Sequence, residues 1–436
     1  MDLTTKRLDS ANASISAKPS LQDFEKKSHS IAQKIAKNTK LDGFRKGKVP
    51  LDIIKQRYQG HIQQESEKEL LDAILQEGSK ALEITPQDMI GNPTIRKFDK
   101  QAEYFDIEMH IGLKPQIDLS GVLECVPSFS LEEVQESAIE ERLQHLAKER
   151  ATFTDAPEDK AVANGDGVIF DFEGLLDNQP FEGNRAQNFA LVVGEGRLLP
   201  SFEKQLVGMK MGEEKYFSIP FPKDYASTTL AGKEVSFHVK LHKIQLRQIP
   251  EIDDAFVKMV LNQEKEPTLD MLKERVKDQL FLEAKTKLYN QQLKETLIDK
   301  LDKNLAFDLP ETIIEQEMDL AFRQSLQNMK PEELKELQDD SKRVKKKRDS
   351  FREQARRSVK VTFIIDALAK QENIQVADNE VYQAVYYEAM MANQNPQQLL
   401  EAYQRNNMLP AVKMAMVEDR VLTFLLDKQL PQEANA

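Results

Sequence analysis

Residues 168–174 read VIFDFEG, and apolar side chains recur there at every second position, at Val168, Phe170 and Phe172. Apolar residues with a period of two indicate a half-buried β-strand. Nine of the chain's 16 glycines lie between positions 165 and 232, where they separate further short alternating runs. Short strands punctuated by glycine turns are typical of antiparallel sheets. We therefore predict a small antiparallel-sheet domain over residues 161–246.

The sequence before this domain predicts an α+β domain over residues 1–117. Apolar residues alternate at 13–17 and again at 105–111, as they do in strands. A helix is expected to begin at Ser20, a good helix cap, and a second one after Pro50, because proline suits the first helical turn. Helices joined by a loop are thus expected to pack on a sheet.

The sequence after Pro250 contains no glycine, and its apolar residues, as at 269–276, recur at helical spacing. We predict an all-helical domain over residues 247–436. A linker with a long helix, residues 118–160, is expected to join the sheet domain to the rest. The predicted fold class is therefore multidomain α+β, with a small antiparallel-sheet domain between an α+β domain and a helical domain.

Composition excludes several classes of protein. The chain of 436 residues has one cysteine, Cys125, which rules out an internal disulfide framework and a multi-cysteine zinc site. It has no apolar run long enough for a membrane span and no Gly-x-x-x-x-Gly-Lys-Ser/Thr segment for ATP phosphates. We expect a cytoplasmic protein with no metal, no cofactor and no membrane partner.

Charge is distributed unevenly along the chain. Residues 1–117 have a net charge of +2, whereas the remainder has −14, for a total of −12. Within the first domain, residues 43–50 read GFRKGKVP and place three cations and Phe44 around two glycines. Arginine and lysine match phosphate, and an exposed aromatic can stack on a base or enter an apolar pocket. The segment is either a docking loop for a polyanionic partner or a solvated turn.

This octapeptide resembles the ribosome-docking signature of the bacterial trigger factor family. The similarity continues through the chain as a docking domain, an FKBP-type domain and a helical domain, in that order. The resemblance implies that Phe44, Arg45 and Lys46 contact large-subunit protein and RNA near the exit tunnel of the ribosome. It also implies unfolded nascent polypeptides as clients, and it allows a homodimer off the ribosome.

The glycine-rich domain is similar to FKBP-type prolyl isomerases. The match covers residues 168–174, 181–183 and 194–203 and the aromatic residues that follow them. It implies a catalytic pocket lined by Phe172, Phe181, Leu199, Phe202, Tyr225 and Phe237. Phe189 and Phe221 are expected as further members, and Phe170 as a core residue on the opposite face from Phe172.

Such a pocket needs no nucleophile, metal or general base. Rotation about an X-Pro bond breaks amide resonance, with a barrier of about 18–20 kcal/mol. A water-poor pocket disfavours the polar planar amide more than its twisted transition state, and this difference in binding is sufficient for catalysis. Phe202 stands where FKBPs that bind drugs strongly have Trp, and Glu182 where they have Asp. Tight macrolide binding is therefore not expected.

Nine of the 14 methionines follow residue 250, and methionine is common on surfaces that accept many partners. We expect most of them in cores. The resemblance implies a client-binding cradle built from helical arms and the 118–160 linker, and the client-facing residues expected there are Met408, Leu409, Met414 and Met416. The basic run 342–348 is interpreted as a solvated helix face rather than a nuclear signal or a nucleic-acid patch.

The leading functional hypothesis is a ribosome-associated, ATP-independent chaperone that shields nascent chains and isomerises X-Pro bonds. The alternative is a free cytosolic FKBP-type isomerase whose helical arms recruit partner proteins; the docking octapeptide argues against it. A third hypothesis, a structural scaffold with an inactive isomerase fold, conflicts with the ordered set of pocket aromatics.

Overall fold

The computed structural model describes residues 2–39, 44, 49–225, 227, 229–327, 329–330, 333–334, 337 and 340–430. Two compact units emerge, one formed by Met1–Ser130 with Lys287–Ala436 and the other by Leu131–Thr286. Arg45 and Lys46 of the predicted docking tip lie outside the described residues. The domain boundaries drawn from the sequence at 117, 160 and 246 stay a prediction.

The first unit begins with a four-stranded antiparallel sheet in the order β1-β2-β4-β3. Its central strands place Ile15 opposite Met109, and both side chains are buried. The alternation at 13–17 and 105–111 thus reflects one face turned to the core. The strands are β1 (Asp2–Arg7), β2 (Asn12–Lys18), β3 (Met89–Lys100) and β4 (Phe105–Leu113).

Of the four helices described in this part of the chain, the first and the third pack on the sheet. The Ser20 hydroxyl caps the first of them by accepting a hydrogen bond from the Asp23 amide at 3.1 Å. Gly78 on the third lets Ile15 of the sheet approach, since a Cβ there would lie 2.5 Å from the Ile15 Cδ1 atom. The helices are α1 (Leu21–Asn38), α2 (Leu51–Arg57), α3 (Gln59–Ala81) and the short α4 (Val122–Cys125).

The second unit contains a five-stranded antiparallel sheet in the order β5-β9-β6-β7, with β8 paired to β9. The long strand β9 therefore pairs with three neighbours and organises the domain. The strands are β5 (Thr152–Asp155), β6 (Gly167–Leu175), β7 (Arg185–Val192), β8 (Glu214–Pro220) and β9 (Glu234–Gln248). The helices are α5 (Glu136–Glu149), α6 (Pro200–Leu206), α7 (Asp254–Val260) and α8 (Leu269–Leu288), of which the last extends past the unit's end.

The chain after the second unit is helical, as its lack of glycine predicts. A π-helical turn at Tyr289–Leu293 follows α8, and Tyr289 is buried in the largest apolar cluster of the helical region. The helices are α9 (Lys294–Asn304), α10 (Glu311–Gln327), α11 (Ser341–Asp349), α12 (Arg352–Gln371), α13 (Asp378–Met391), α14 (Pro396–Arg405) and α15 (Leu409–Asp427). The predicted fold class is confirmed.

Helix α10 packs directly on the N-terminal sheet. A Cβ at Gly112 of β4 would lie 2.4 Å from the Thr312 Oγ1 atom, so only glycine permits this approach. At the start of β2, the Asn12 side chain donates to the Leu309 carbonyl at 2.9 Å and accepts from the Glu311 amide at 2.7 Å. The sheet and the helical region therefore share one compact unit.

Among the residues that the structure describes, no helix is at once long and apolar enough to cross a bilayer. The described residues also contain no cluster of three or more His, Cys, Asp or Glu side chains suited to a metal ion.

Candidate active site

The second unit contains an open cavity of about 540 Å³ beside strand β9. Its wall is mostly aromatic and aliphatic, and it is built from β6, β9, α6 and the loops that connect the strands. All six residues of the predicted catalytic set line it: Phe172, Phe181, Leu199, Phe202, Tyr225 and Phe237. Residues far apart in the sequence are thus brought to one surface, as the match implied; their catalytic roles stay a proposal.

Phe202 forms the floor of the cavity. Helix α6 begins at Pro200, which suits a first helical turn, and it directs Phe202 inward with only 3% of its surface exposed. The Phe202 ring meets the Phe237 ring edge-on, with centroids 5.1 Å apart and planes at 89°. Edge-to-face contact of this kind is favoured between aromatic rings, so the floor is rigid.

Tyr225 lies at the opposite, solvent side of the cavity. It is 38% exposed, and its ring meets that of Phe221 edge-on at 4.8 Å. Phe221 also lines the cavity, in agreement with its expected position as a further member. The cavity therefore combines a buried aromatic floor with a partly exposed aromatic rim.

The expectations for Phe170 and Phe189 need correction. Phe170 is fully buried in the core, as expected, but its ring lies 6.0 Å from the rings of both Phe172 and Phe202. The opposite-face prediction was wrong, because side chains two residues apart on a strand share a face. The ring centroids of Phe189 and Phe172 are 5.7 Å apart, but Phe189 does not line the cavity.

Gly174 at the end of β6 makes room for the aromatic wall. A Cβ at this position would lie 2.7 Å from the Phe237 Cε1 atom and 3.2 Å from the Phe181 Cζ atom. Distances this short require the rings to move, so glycine allows both to reach the cavity.

Glu203 is a residue that sequence reasoning missed. Its side chain is 4% exposed and accepts hydrogen bonds from three backbone amides: Gly194 at 2.8 Å, Gly196 at 3.3 Å and Leu198 at 2.9 Å. The carboxylate thereby holds the loop that carries Leu199 to the cavity. The sequence signal was the acidic residue next to Phe202 in the first turn of α6, which gives no hint of those partners.

The charges of the cavity lie at its edge. Glu182 and Arg197 are the lining residues that carry a formal charge among those described, and both are exposed. The Arg197 guanidinium lies 5.3 Å from the centre of the Phe189 ring. Apolar side chains occupy the interior, an arrangement that can desolvate a bound amide. None of the described residues that line the cavity is a buried nucleophile or general base.

Asp171 stabilises strand β6 on the side away from the cavity. Its carboxylate accepts from the Asn188 amide at 2.7 Å and lies 2.9 Å from the His242 Nε2 atom. The hydrogen bond from Asn188, followed by that from His242, lowers the pKa of Asp171. These contacts hold β7 and β9 against the strand that carries Phe172.

The predicted partner-binding residues lie in the first unit. Phe44 of the loop is 38% exposed, and Met408 at the start of α15 is 44% exposed. Leu409, Met414 and Met416 are half-buried, and Met414 packs against the helical core while lining a surface groove. Their roles stay predictions.

A more exposed apolar surface lies on α13 and was not singled out from the sequence. Tyr387, Met390 and Met391 are 66%, 68% and 70% exposed. The available signal was the local sequence YYEAMM, whose large apolar residues are too closely spaced to fit one buried face of a helix.

Three family models match the chain in sequence order. The bacterial trigger factor protein model matches residues 1–146, and the model of FKBP-type peptidyl-prolyl cis-trans isomerase matches residues 158–242. The model of the bacterial trigger factor C-terminus matches residues 268–427. Together they cover each of the regions described above.

Curated relatives match nearly the whole chain. A trigger factor of Helicobacter acinonychis is 54% identical over 433 residues, covering 99% of this chain and 96% of that one. A trigger factor of Helicobacter hepaticus is 44% identical, with 99% and 97% covered. A solved structure concerning promiscuous substrate recognition by the trigger factor chaperone matches with a TM-score of 0.60 and 18% identity, over 99% of this chain and 100% of that one, which supports the fold. The chain thus belongs to the trigger factor family of chaperones and carries an FKBP-type peptidyl-prolyl isomerase domain.

Proposed function

We propose that this chaperone acts at the ribosome without ATP, shielding nascent polypeptides and isomerising their X-Pro bonds. The observation that carries the isomerase part is the single apolar cavity lined by the six residues of the predicted catalytic set. Isomerisation of X-Pro bonds is slow enough to limit folding, so an isomerase attached to a chaperone acts where the slow step occurs.

The cavity walls account for catalysis by desolvation. An X-Pro segment enters past Tyr225 and rests on the floor formed by Phe202 and Phe237, where water is excluded. The planar amide loses more solvation there than the twisted transition state does, so the barrier falls. Glu203 positions the loop that carries Leu199 and acts through that loop rather than on the substrate.

Turnover of a proline-containing peptide tests this assignment. We expect Tyr225→Ala combined with Phe202→Leu to reduce kcat/KM by about tenfold or more, while circular dichroism stays unchanged. Tyr216→Ala is the matched control, because Tyr216 is 75% exposed on β8 and is absent from the cavity wall. Equal turnover by the two variants would contradict the pocket assignment.

For ribosome docking, the proposal rests on the octapeptide 43–50 and on the exposed ring of Phe44. Phe44, Arg45 and Lys46 contact large-subunit protein and RNA near the exit tunnel. Arginine and lysine pair with phosphate, while an exposed ring placed next to them adds an apolar contact.

Co-sedimentation with bacterial 70S ribosomes tests docking. We expect saturable binding by the natural chain and its loss in the triple variant Phe44→Ala/Arg45→Ala/Lys46→Ala. The matched control removes an exposed aromatic and two exposed cations elsewhere, as Phe153→Ala/Lys148→Ala/Arg150→Ala. If the natural chain does not sediment at low salt, the alternative of a free cytosolic isomerase with partner-recruiting arms is preferred.

Client binding is proposed for the apolar surface of the helical region. The predicted residues Met408, Leu409, Met414 and Met416 belong to it, and the exposed side chains of α13 extend the set. Methionine side chains adapt to many partner shapes, which suits clients of varied sequence. A homodimer off the ribosome and a cytoplasmic location stay part of this proposal.

A further inference from the structure

Helix α11 carries a concentration of positive charge that the proposed function does not use. Its nine residues, Ser341–Asp349, include six lysines and arginines and a single acidic residue, in a chain whose net charge is −12. None of its side chains is buried. The helix is therefore held in place by few contacts while presenting an unusually cationic surface.

One arginine fixes the orientation of this helix. The Arg348 Nε atom donates to the Asp319 Oδ1 atom of α10 at 2.5 Å, and its Nη2 atom donates to the Glu315 Oε2 atom at 2.8 Å. Val344, one turn earlier, is half-buried, whereas its neighbours are exposed. The face that carries Arg348 and Val344 therefore lies towards α10.

Three of the remaining cations lie on the face opposite to Arg348. Successive residues of an α-helix are rotated by about 100°, which places Lys342, Arg343 and Lys346 about 120–160° from Arg348, whereas Lys345 lies at the side of the helix, about 60° away. All four are exposed. Lysines 342, 345 and 346 form no ion pair within the described part of the chain, whereas Arg343 pairs with Asp340 at 3.6 Å. The three lysines lie close together and have no counter-charge among the described residues, and such a group attracts a polyanion.

In place of the solvated helix face expected from the sequence, we propose that helix α11 is an RNA-binding surface that contacts the phosphate backbone of the RNA. The contact is made by the exposed cations Lys342, Arg343, Lys345 and Lys346. Nine helical residues span about 13 Å, and one nucleic-acid strand in helical geometry carries one charge per about 3.4 Å, so about four phosphates of one strand face the helix at once. Contacts of this type fix position without reading sequence.

Two other classes of partner fit the helix less well. A membrane-surface helix needs an apolar face, but Val344 is the one apolar residue of α11 and it lies towards α10. Protein interfaces are centred on aromatic or aliphatic anchors, which the outward face does not have. The choice of RNA rather than DNA rests on the proposed ribosome association; the phosphate contact itself does not.

The test is binding of the full-length protein to a labelled single-stranded RNA of about 16 nucleotides, a length within the range of single-strand binding sites. The full chain is used because the sequence 332–340 before the helix is acidic. The variant Lys342→Gln/Arg343→Gln/Lys345→Gln/Lys346→Gln removes the outward charge and keeps good helix formers. The control, Lys80→Gln/Lys258→Gln/Lys277→Gln/Lys303→Gln, removes the same charge from scattered exposed sites.

We expect the α11 variant to bind at least about tenfold more weakly than the natural chain at low salt, and the control variant to stay within about threefold. Four phosphate contacts to a single strand predict a slope of log affinity against log salt near −2.8, or about a fifty-fold loss between 50 and 200 mM salt. The α11 variant should lose most of that slope. If the Phe44 triple variant no longer sediments with ribosomes but still binds RNA, the docking loop and helix α11 are separate binding surfaces.

Three results would overturn the proposal. They are no RNA binding by the natural chain at low salt, equal weakening in the α11 and control variants, and binding to phosphatidylglycerol vesicles with none to RNA. Circular dichroism of both variants excludes unfolding as the cause of any loss.

Discussion

The isomerase cavity and helix α13 present apolar surface in opposite ways. In the cavity, Phe202 and Phe237 are 3% and 7% exposed and are held by edge-to-face packing. On α13, Met390 and Met391 are 68% and 70% exposed. The cavity is shaped for one chemical feature, an X-Pro bond, whereas a flexible methionine surface adapts to many sequences. Substitutions should therefore separate turnover from protection against aggregation.

The largest effect is expected from Glu203→Leu. It removes the acceptor that three backbone amides of a partly exposed loop share. A hydrogen bond to a charged group contributes about 1.5–3 kcal/mol, so we expect the second unit to lose about 3 kcal/mol or more even where water reaches the loop. Prolyl turnover should fall together with the stability of this unit. At temperatures where the chain stays folded, suppression of client aggregation by the helical region should persist. Thermal unfolding and peptide turnover measure the two effects.

Glu234→Gln is the matched control for Glu203, since it removes an exposed carboxylate of the same unit that does not line the cavity. A Glu203→Leu variant with natural thermal stability and turnover would show that the loop holds its position without the carboxylate. Glu203→Gln should be intermediate, because its amide oxygen can still accept from part of the loop.

Gly174→Ala tests how tightly the cavity wall is packed. The new methyl group would lie 2.7 Å from the Phe237 ring, and overpacking of this kind costs about 1–3 kcal/mol. We expect a lower thermal midpoint and a several-fold loss of turnover as the ring is displaced. Gly60→Ala serves as the control, since a Cβ at that helical position meets no atom within 4 Å. Equal behaviour of the two variants would contradict the packing argument.

On α13, the variant Tyr387→Ser/Met390→Ser/Met391→Ser should show the reverse pattern. These side chains are exposed, so we expect stability to change by about 0.5 kcal/mol or less and turnover to stay unchanged. Protection of a chemically denatured client against aggregation, followed by light scattering, should fall several-fold. If this variant protects the client normally, α13 is not the client-binding surface, and client binding is then assigned to Met408 and its neighbours.

The smallest effect concerns a charge in the helical region. Burial, with a smaller contribution from Asp419, raises the pKa of Glu418 on α15. A carboxyl group whose folded pKa exceeds its unfolded pKa destabilises the fold when it is ionised. This penalty begins to decrease as pH falls through the folded pKa, and it is absent below the unfolded pKa. Glu418→Gln should therefore raise the free energy of unfolding by about 0.5 kcal/mol or less at about pH 7, which is measured as a slightly higher thermal midpoint. At about pH 4 it should give no gain. Glu401→Gln, on exposed α14, is the control; equal gains at both pH values would contradict the ionisation argument.

Much of the fold could be predicted because its signals are local. Alternation at 13–17 and 105–111, the cap at Ser20 and the lack of glycine after Pro250 depend on residues close in sequence, and they predicted strands and helices that the structure confirms. The six cavity residues followed from a match of ordered motifs, and all of them line one cavity.

What the sequence determined by itself was therefore the order of strands and helices and the identity of the aromatic set, since periodicity and turn chemistry act between near neighbours. Tertiary structure alone decided that the Glu203 carboxylate meets three loop amides and that Gly112 admits Thr312. It also decided that Arg348 turns Lys342, Arg343 and Lys346 of α11 outward. Each of these contacts joins groups whose distance depends on how whole elements pack, a quantity that no local pattern contains.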